Sequence, residues 1–337
     1  MKSIGMLHYR KNPTEVKKAY PLAAVAKMEG FPFYFFTFNS VDFNTMKING
    51  WEYNHGEWSQ TVVDFPTVII NSCNPKTKKQ SKILKKLKEY ALLTSYPVGN
   101  KLKVYKKVLH AKEFSNYLIP STKLTNPSEC ISFLDKHSRA VIKPLKGNQG
   151  KQVIFIEKLN ERPLYQLIDG QHSKTLNRKE LESLIADLIL KRKYLLQPFI
   201  MCKTKTGLTY DFRLHVQKNG RGSWEINLIY PRISGNGKLI SNISSGGYRG
   251  DLEPFLILEF GDEFEQIKAV LEDFALSFST HFDTLYEHSF DELGIDVGID
   301  QQKRLWIFEV NWRPGCKNRE FEVARRLIPY CIFLANN

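Results

Sequence analysis

Apolar residues near the amino terminus come in short runs separated by polar turns, the pattern of strands alternating with helices. "SIGMLHY" (3–9) predicts a first strand and "FPFYFF" (31–36) a second. Between them Asn12 is placed to cap a helix with Pro13 in its first turn, and Gly30 to end it. "MKINGWEY" (46–53) and "EWSQTVV" (57–63) predict a hairpin or meander with Asn49-Gly50 as one turn. "PTVIINS" (66–72) is apolar nearly throughout, as a buried parallel strand would be. Ile83, Leu84, Leu87, Tyr90 and Ala91 then share one helical face. A small α/β domain over residues 1–95 is the expectation.

A second segment, 96–200, opens with a helical stretch from about Lys101 to Tyr117 that stops at "IPST". "AVIKPL" (140–145) and "KQVIFIEK" (151–158) read as paired strands around a glycine-bounded loop. Residues 178–192 read as a helix, and "KYLLQPFI" (193–200) as a strand ending at a proline. From residue 201 to 337 the pattern is β-rich, with "TYDFRLHVQ", "WEINLIYPRIS" and the polar "SNISSGGYRG". A long amphipathic helix over 262–282, the strands "LGIDVGID" and "RLWIFEVNW", and a terminal helix follow. The fold class is therefore α/β (α+β).

At 42% hydrophobic and 12% aromatic the composition excludes disorder. The longest apolar-aromatic run, "FPFYFFTF", is too short to span a membrane. "MKSIGMLHYR" lacks the apolar core of a signal peptide, so a cytoplasmic protein is expected. The five cysteines contain no CxxC pair, which argues against zinc and against a disulfide framework. Net charge is +14, and eleven lysines against one acid, Glu89, fall between Lys76 and Lys107. That stretch reads either as a solvated helix face or as an attractor for an anionic partner. No aromatic-basic nucleic-acid module accompanies it.

Three pieces carry candidate chemistry. The loop after "VIKPL" is no Walker A loop, since Leu145 and Gln152 stand where glycine and Ser/Thr are needed. It can still be a lid, with Gly147 and Gly150 letting backbone N–H groups close over phosphates and Lys143 reaching them from a strand end; alone it is equally a hairpin turn. In "LGIDVGIDQQKRLWIFEVNW", Glu309 and Asn311 share one strand face while Trp306, Phe308, Val310 and Trp312 take the other. A tight turn at Gln302-Lys303 sets Asp296 across from Glu309, a repulsion that a divalent cation would relieve; a solvated acidic face is the other reading. Third, Asp211 and Arg213 share a face, Arg232 follows on the next strand, and Asn242, Gly246 and Gly247 lie beyond: an anion-stabilising set if they face a nucleotide.

Taken in order, "DFR…R…SNISSGG…GID…FEVN" resembles the ATP-grasp superfamily, in its glutathione-synthetase and ribosomal-protein-modifying-ligase branch. With "VDF", "INGWEY", "EW" and "FPTVIIN", the whole chain resembles the YheC/YheD-like, endospore coat-associated ATP-grasp proteins. The resemblance implies an ATP-grasp fold of two α+β lobes sandwiching the nucleotide, preceded by a small α/β pre-ATP-grasp domain. It implies ATP and Mg²⁺ as cofactors, with Mn²⁺ as an alternative metal. Lys143 would hold the α/β-phosphates under a lid of Gly147, Asn148, Gln149 and Gly150. Lys101 would be the first nucleotide lysine, with Lys103 and Lys107 as alternatives, although Asn100 stands where an aspartate is usual. Gln197, Pro198, Phe199 and Ile200 would be the hinge that reads adenine, and Asp211 would meet the ribose. Asp296, Glu309 and Asn311 would bind the metal, while Arg232, Arg213, Asn242 and Gly247 would serve phosphoryl transfer. Ser72 stands where relatives are expected to carry arginine.

The activity implied is an ATP-dependent carboxylate–amine ligase working through an acylphosphate. Its unidentified carboxylate substrate could be an acidic polymer or peptide, with an amine as nucleophile; neither membrane nor nucleic acid is an expected partner. The competing readings are a spore-coat-associated structural or binding protein that keeps the fold without the chemistry, and a kinase on the same fold.

Overall fold

Every residue of the first strand, β1 (Ile4–His8), is buried, because it runs down the middle of a sheet. The computed structural model describes residues 1–145, 152–159, 164–170, 172–235 and 247–337. After β1 come α1 (Ala19–Met28), β2 (Phe33–Thr37), β3 (Val41–Asp42), β4 (Lys47–Asn54), β5 (Glu57–Asp64), β6 (Val68–Asn71), α2 (Lys78–Leu87) and β7 (Leu92–Leu93). They form one sheet in the order β3-β4-β2-β1-β6-β7, with β5 paired to β4. β2, β1, β6 and β7 run parallel, which is why β6 is apolar up to its closing Asn71.

Two local expectations are corrected. Asn49-Gly50 is not a turn: β4 runs straight through it, pairing Gly50 with Thr61. The chain reverses instead at His55 and Gly56, whose φ values of 50° and 89° are the pair a type I′ turn requires. Gly50 serves close approach, since a Cβ there would stand 3.2 Å from the Phe35 carbonyl oxygen. Asn12, for its part, caps only a single 3-10 turn, Pro13–Glu15, and α1 begins four residues later.

The second sheet follows α3 (Lys101–Ala111). It is built from β8 (Thr122–Leu124), α4 (Pro127–His137), β9 (Arg139–Pro144), β10 (Ile154–Leu159), β11 (Leu164–Asp169), β12 (His172–Asn177), α5 (Arg178–Lys191) and β13 (Tyr194–Pro198). Its antiparallel order is β12-β11-β10-β9-β13-β8. Leu134 of α4 and Leu181 and Ile185 of α5 close its core over Ile142, Ile156 and Leu196. The helix expected to reach Tyr117 ends at Ala111, because Lys112 takes φ 69°.

The third sheet is also antiparallel, in the order β16-β15-β14-β17-β18. Its strands are β14 (Tyr210–Lys218), β15 (Trp224–Ile233), β16 (Tyr248–Arg249), β17 (Glu292–Ile299) and β18 (Leu305–Asn311); α6 (Leu252–Phe260), α7 (Phe264–Thr284) and α8 (Glu320–Asn336) complete the segment. Phe274, Phe278 and Phe282 of α7 form a stacked ladder in its core. Two helices tie the sheets together. Val104 and Val108 of α3 enter the third sheet's core, and Ala324, Leu327 and Cys331 of α8 pack with α1 in the first.

A buried acid marks the seam between the first and third sheets. Asp291 accepts from the Ser95 backbone N–H at 2.7 Å and from its hydroxyl at 2.8 Å. Burial, and then neighbouring Glu292, push its carboxyl up to about 6. A carboxyl raised in the folded state contributes stability that is fully present below its unfolded value and is lost as pH rises through about 6. Asp291→Asn keeps an acceptor for the Ser95 N–H and gives the Ser95 oxygen a donor. It is expected to stabilise the chain by about 2–3 kcal/mol at pH 8, with the gain shrinking toward pH 4 in thermal melts.

Candidate nucleotide and metal site

The site begins with a register. β17 and β18 pair so that Asp296 lies opposite Glu309 and Gly294 opposite Asn311. One step on, Val297 pairs with Ile307, so Phe308 is a bulge residue with no partner. The bulge corrects the expected apolar face. Leu305 and Ile307 before it, with Val310 after it, are in the third sheet's core, and Phe308 and Trp312 pack against that core. Trp306 instead donates its indole N–H to Asp300 at 2.7 Å under the Arg304 guanidinium.

Two opposed carboxylates need positive charge between them, and the side chains here provide it. Arg213 sits beside Asp296 in the β14–β17 register and donates to it from Nε and, at 3.1 Å, from Nη2. Arg232, opposite Asp211 across β14 and β15, donates to both Asp211 oxygens at 2.7 and 2.6 Å and reaches Asp296 at 3.1 Å. Burial works against ionisation of Asp296, but the two guanidiniums outweigh it and hold the carboxyl below its ordinary value. Glu309 is paired with the Lys101 amine at 2.9 Å, and the Asn311 amide is 3.5 Å from Asp296. Asp211, expected at the ribose, is thus engaged by Arg232.

Lys143 faces the same ground from the second sheet. It pairs with Leu195 in the β9–β13 register and stands 5.7 Å from the Phe308 ring centre. Burial lowers its amine to about 8, against the pull of Glu309 and with the push of Lys101. Gln197, on β13, donates from Nε2 to the Ser121 hydroxyl at 2.6 Å, while its buried Oε1 has no partner among the described residues.

Lys101, Lys143, Gln197, Glu309 and Asn311 all line one cleft of about 470 Å³ between the second and third sheets. That volume suits a small-molecule ligand. Of the other expected site residues, Pro198 closes β13, Phe199 meets Phe155 edge-on at 5.6 Å, and Ile200 packs against the third core. Asp211, Arg213, Arg232 and Asp296 form the cluster behind Glu309, and Gly247 is half-buried beside β16. Gly147, Asn148, Gln149, Gly150 and Asn242 lie outside the described residues. Ser121 went unseen in the sequence, where "IPST" signals only a helix stop; its partner Gln197 is 76 residues away.

Among the described residues no three His, Cys, Asp or Glu side chains gather as a metal site. The oxygen donors present are two carboxylates and one amide on adjacent registered positions, a set whose chemistry fits a hard divalent cation once Lys101 and the arginines yield. Also among the described residues, no helix is long and apolar enough to cross a membrane.

The chain is 27% identical over 317 residues to the endospore coat-associated protein YheC of Bacillus subtilis (strain 168), covering 88% of this chain and 84% of that protein. Among solved structures, the ATP-grasp ligase PsnB, complexed with a phosphomimetic variant of its minimal precursor, Mg and ADP, superposes with a TM-score of 0.58 at 10% identity, over 99% of both chains. The D-alanyl-alanine synthetase A of Vibrio cholerae O1 biovar eltor gives 0.55 at 11% identity, over 100% of this chain and 98% of that one. Both are ligases, and the shared fold is the ATP-grasp fold. The family description "YheC/D like ATP-grasp" matches residues 76–334, and the chain belongs to that family.

Proposed function

We propose that this protein is an ATP- and Mg²⁺-dependent carboxylate–amine ligase that works through an acylphosphate. The observation that carries this reading is the convergence of Lys101, Lys143, Gln197, Glu309 and Asn311 on one cleft, backed by the Asp296–arginine cluster. Lys143 would meet the nucleotide's α/β-phosphates, where its partly desolvated charge gains a counter-ion. The Gln197 oxygen, without a partner among the described residues, would accept from the amino group of the base. Asp296, Glu309 and Asn311 would hold Mg²⁺, which neutralises charge on the transferring phosphoryl group.

In the first half-reaction a substrate carboxylate oxygen bonds to the γ-phosphorus as the β,γ-bridging P–O bond breaks, and ADP leaves. An amine then attacks the acyl carbon, phosphate departs, and the amine loses a proton to leave an amide. The protein's share is alignment and charge: Arg232 and Arg213, which now hold Asp296, would stabilise the oxyanion. The PsnB complex with its precursor peptide supports a peptide as substrate, and the likeness to YheC supports a place at the spore coat.

Hydroxylamine tests the reading, because it intercepts an acylphosphate as a hydroxamate. Incubation with ATP, Mg²⁺ and glutamate-rich peptides is expected to give hydroxamate and ADP in equal amounts. A phosphorylated product without hydroxamate would mean kinase chemistry instead. Glu309→Gln removes a metal-ligand charge at a half-exposed position. It is expected to raise the Mg²⁺ concentration for half-maximal turnover at least about tenfold, with an unchanged melt.

A further inference from the structure

The carboxyl edge of the first sheet carries a second cavity, of about 370 Å³, away from the nucleotide cleft. Ligands of open α/β sheets lodge at this edge, outside the strand ends. Besides Gln80 of α2, three amide side chains line it: Asn39 after β2, Asn49 on β4 and Gln60 on β5. None of the three makes a side-chain hydrogen bond among the described residues, so each offers a free donor and a free acceptor. Trp51, registered opposite Gln60, supplies a flat apolar face, and Tyr9, 43% exposed, lines the wall.

The charge lining this cavity has one sign. Lys11 lines the cavity without an ion-pair partner among the described residues, and no acid lines it. The Lys76 amine lies 3.9 Å over the Tyr9 ring, and its backbone N–H is held by Gln80, another wall residue. His8, stacked on Tyr9, is held near 4 by burial and then by Arg10, Arg313 and Lys76. Arg313 also links the edge to the cleft. It donates to the Asn71 carbonyl at 3.1 Å and the Asn74 side chain at 2.9 Å, beside β1, and its neighbour Trp312 lines the nucleotide cleft.

We propose that this edge binds the substrate as an extended acidic peptide, with Asn39, Asn49 and Gln60 pairing its backbone amides, Trp51 packing its side chains, and Lys11 meeting its carboxylates. The identification rests on the ligase reading for its role as substrate, though the binding itself does not. A peptide unit is one donor and one acceptor, which is the complement of an amide side chain. A neutral glycan would use the aromatics and amides but leave the cations without purpose.

The test is fluorescence anisotropy with a labelled eight-residue peptide of alternating glycine and glutamate. Wild type is expected to bind it. Asn49→Ala with Gln60→Ala, and separately Lys11→Glu, are expected to weaken binding at least tenfold. Both variants should keep their melts and hold AMPPNP with Mg²⁺ within twofold of wild type. Asn39→Ala serves if the double variant folds poorly. No binding by wild type, equal binding by folded variants, or chitotetraose binding that the variants abolish would each overturn the proposal. Peptide binding without AMPPNP binding would leave this site standing and sink the nucleotide reading.

Discussion

Lys143→Met should yield a chain that is more stable than wild type and nearly unable to hold a nucleotide. The amine sits half-buried with Lys101 as a near neighbour, and its lowering to about 8 records how poorly the folded chain solvates it. Methionine matches the stem in length and needs no solvation. The expected gain is roughly 2–3 kcal/mol at pH 7, read from denaturant midpoints at unchanged m-value. The same change removes the charge that would face the α/β-phosphates, so AMPPNP affinity should fall at least about a hundredfold, worth about 2.7 kcal/mol. A residue kept for structure would move both quantities in the same direction. A destabilised variant with intact nucleotide affinity would mean that Lys143 has been misread.

Arg232→Met should do the opposite on stability. Arg232 is 6% exposed and serves two carboxylates, Asp211 with two hydrogen bonds and Asp296 with one. Its removal leaves Asp211 buried without its counter-charge and Asp296 with Arg213 alone. Breaking a buried pair from one side costs about 3–5 kcal/mol. The pH dependence has a definite sign. In wild type the carboxyl of Asp296 is held low, so its contribution is present above the unfolded value and lost as pH falls. The gap between variant and wild type should therefore be full at pH 7 and narrow below about pH 4. Adding Asp211→Asn should recover part of the loss, and the double-mutant cycle isolates the pair. A gap below about 1 kcal/mol at pH 7 would mean that the cluster is not a closed ionic unit.

The sequence discloses much of this architecture because strand pairing converts spacing into geometry. Glu309 and Asn311 two apart, and Asp296 before a short turn, lead to the opposed acids, but the pairs next to the turn, Ile299 with Leu305 and Val297 with Ile307, are one residue off the register of a tight turn at Gln302-Lys303, and it is the bulge that brings Asp296 opposite Glu309. The bulge at Phe308 was not legible, since nothing local distinguishes a skipped residue from a paired one; it surfaces only as Trp306 leaving the core. Asn49-Gly50 misled for a related reason. A glycine needed for close approach to Phe35 has the same signature as one needed for a turn, while His55-Gly56, the true reversal, lacks the usual asparagine. The arginine clamps show another limit. Arg213 and Arg232 could be assigned to one neighbourhood, but their closure on Asp296 depends on three strands meeting, which spacing within one strand does not report. The tying of α8 to α1 and of α3 to the third sheet is likewise a long-range packing outcome.

Calorimetric titration of the wild-type chain with AMPPNP, with and without Mg²⁺, bears most directly on the cleft that joins Lys143 to Glu309 and Asn311. Saturable binding at one site per chain, tightened by Mg²⁺ and weakened by Glu309→Gln, is the expected result. A folded chain that gives no binding heat, or one whose affinity ignores both the metal and residue 309, would contradict it.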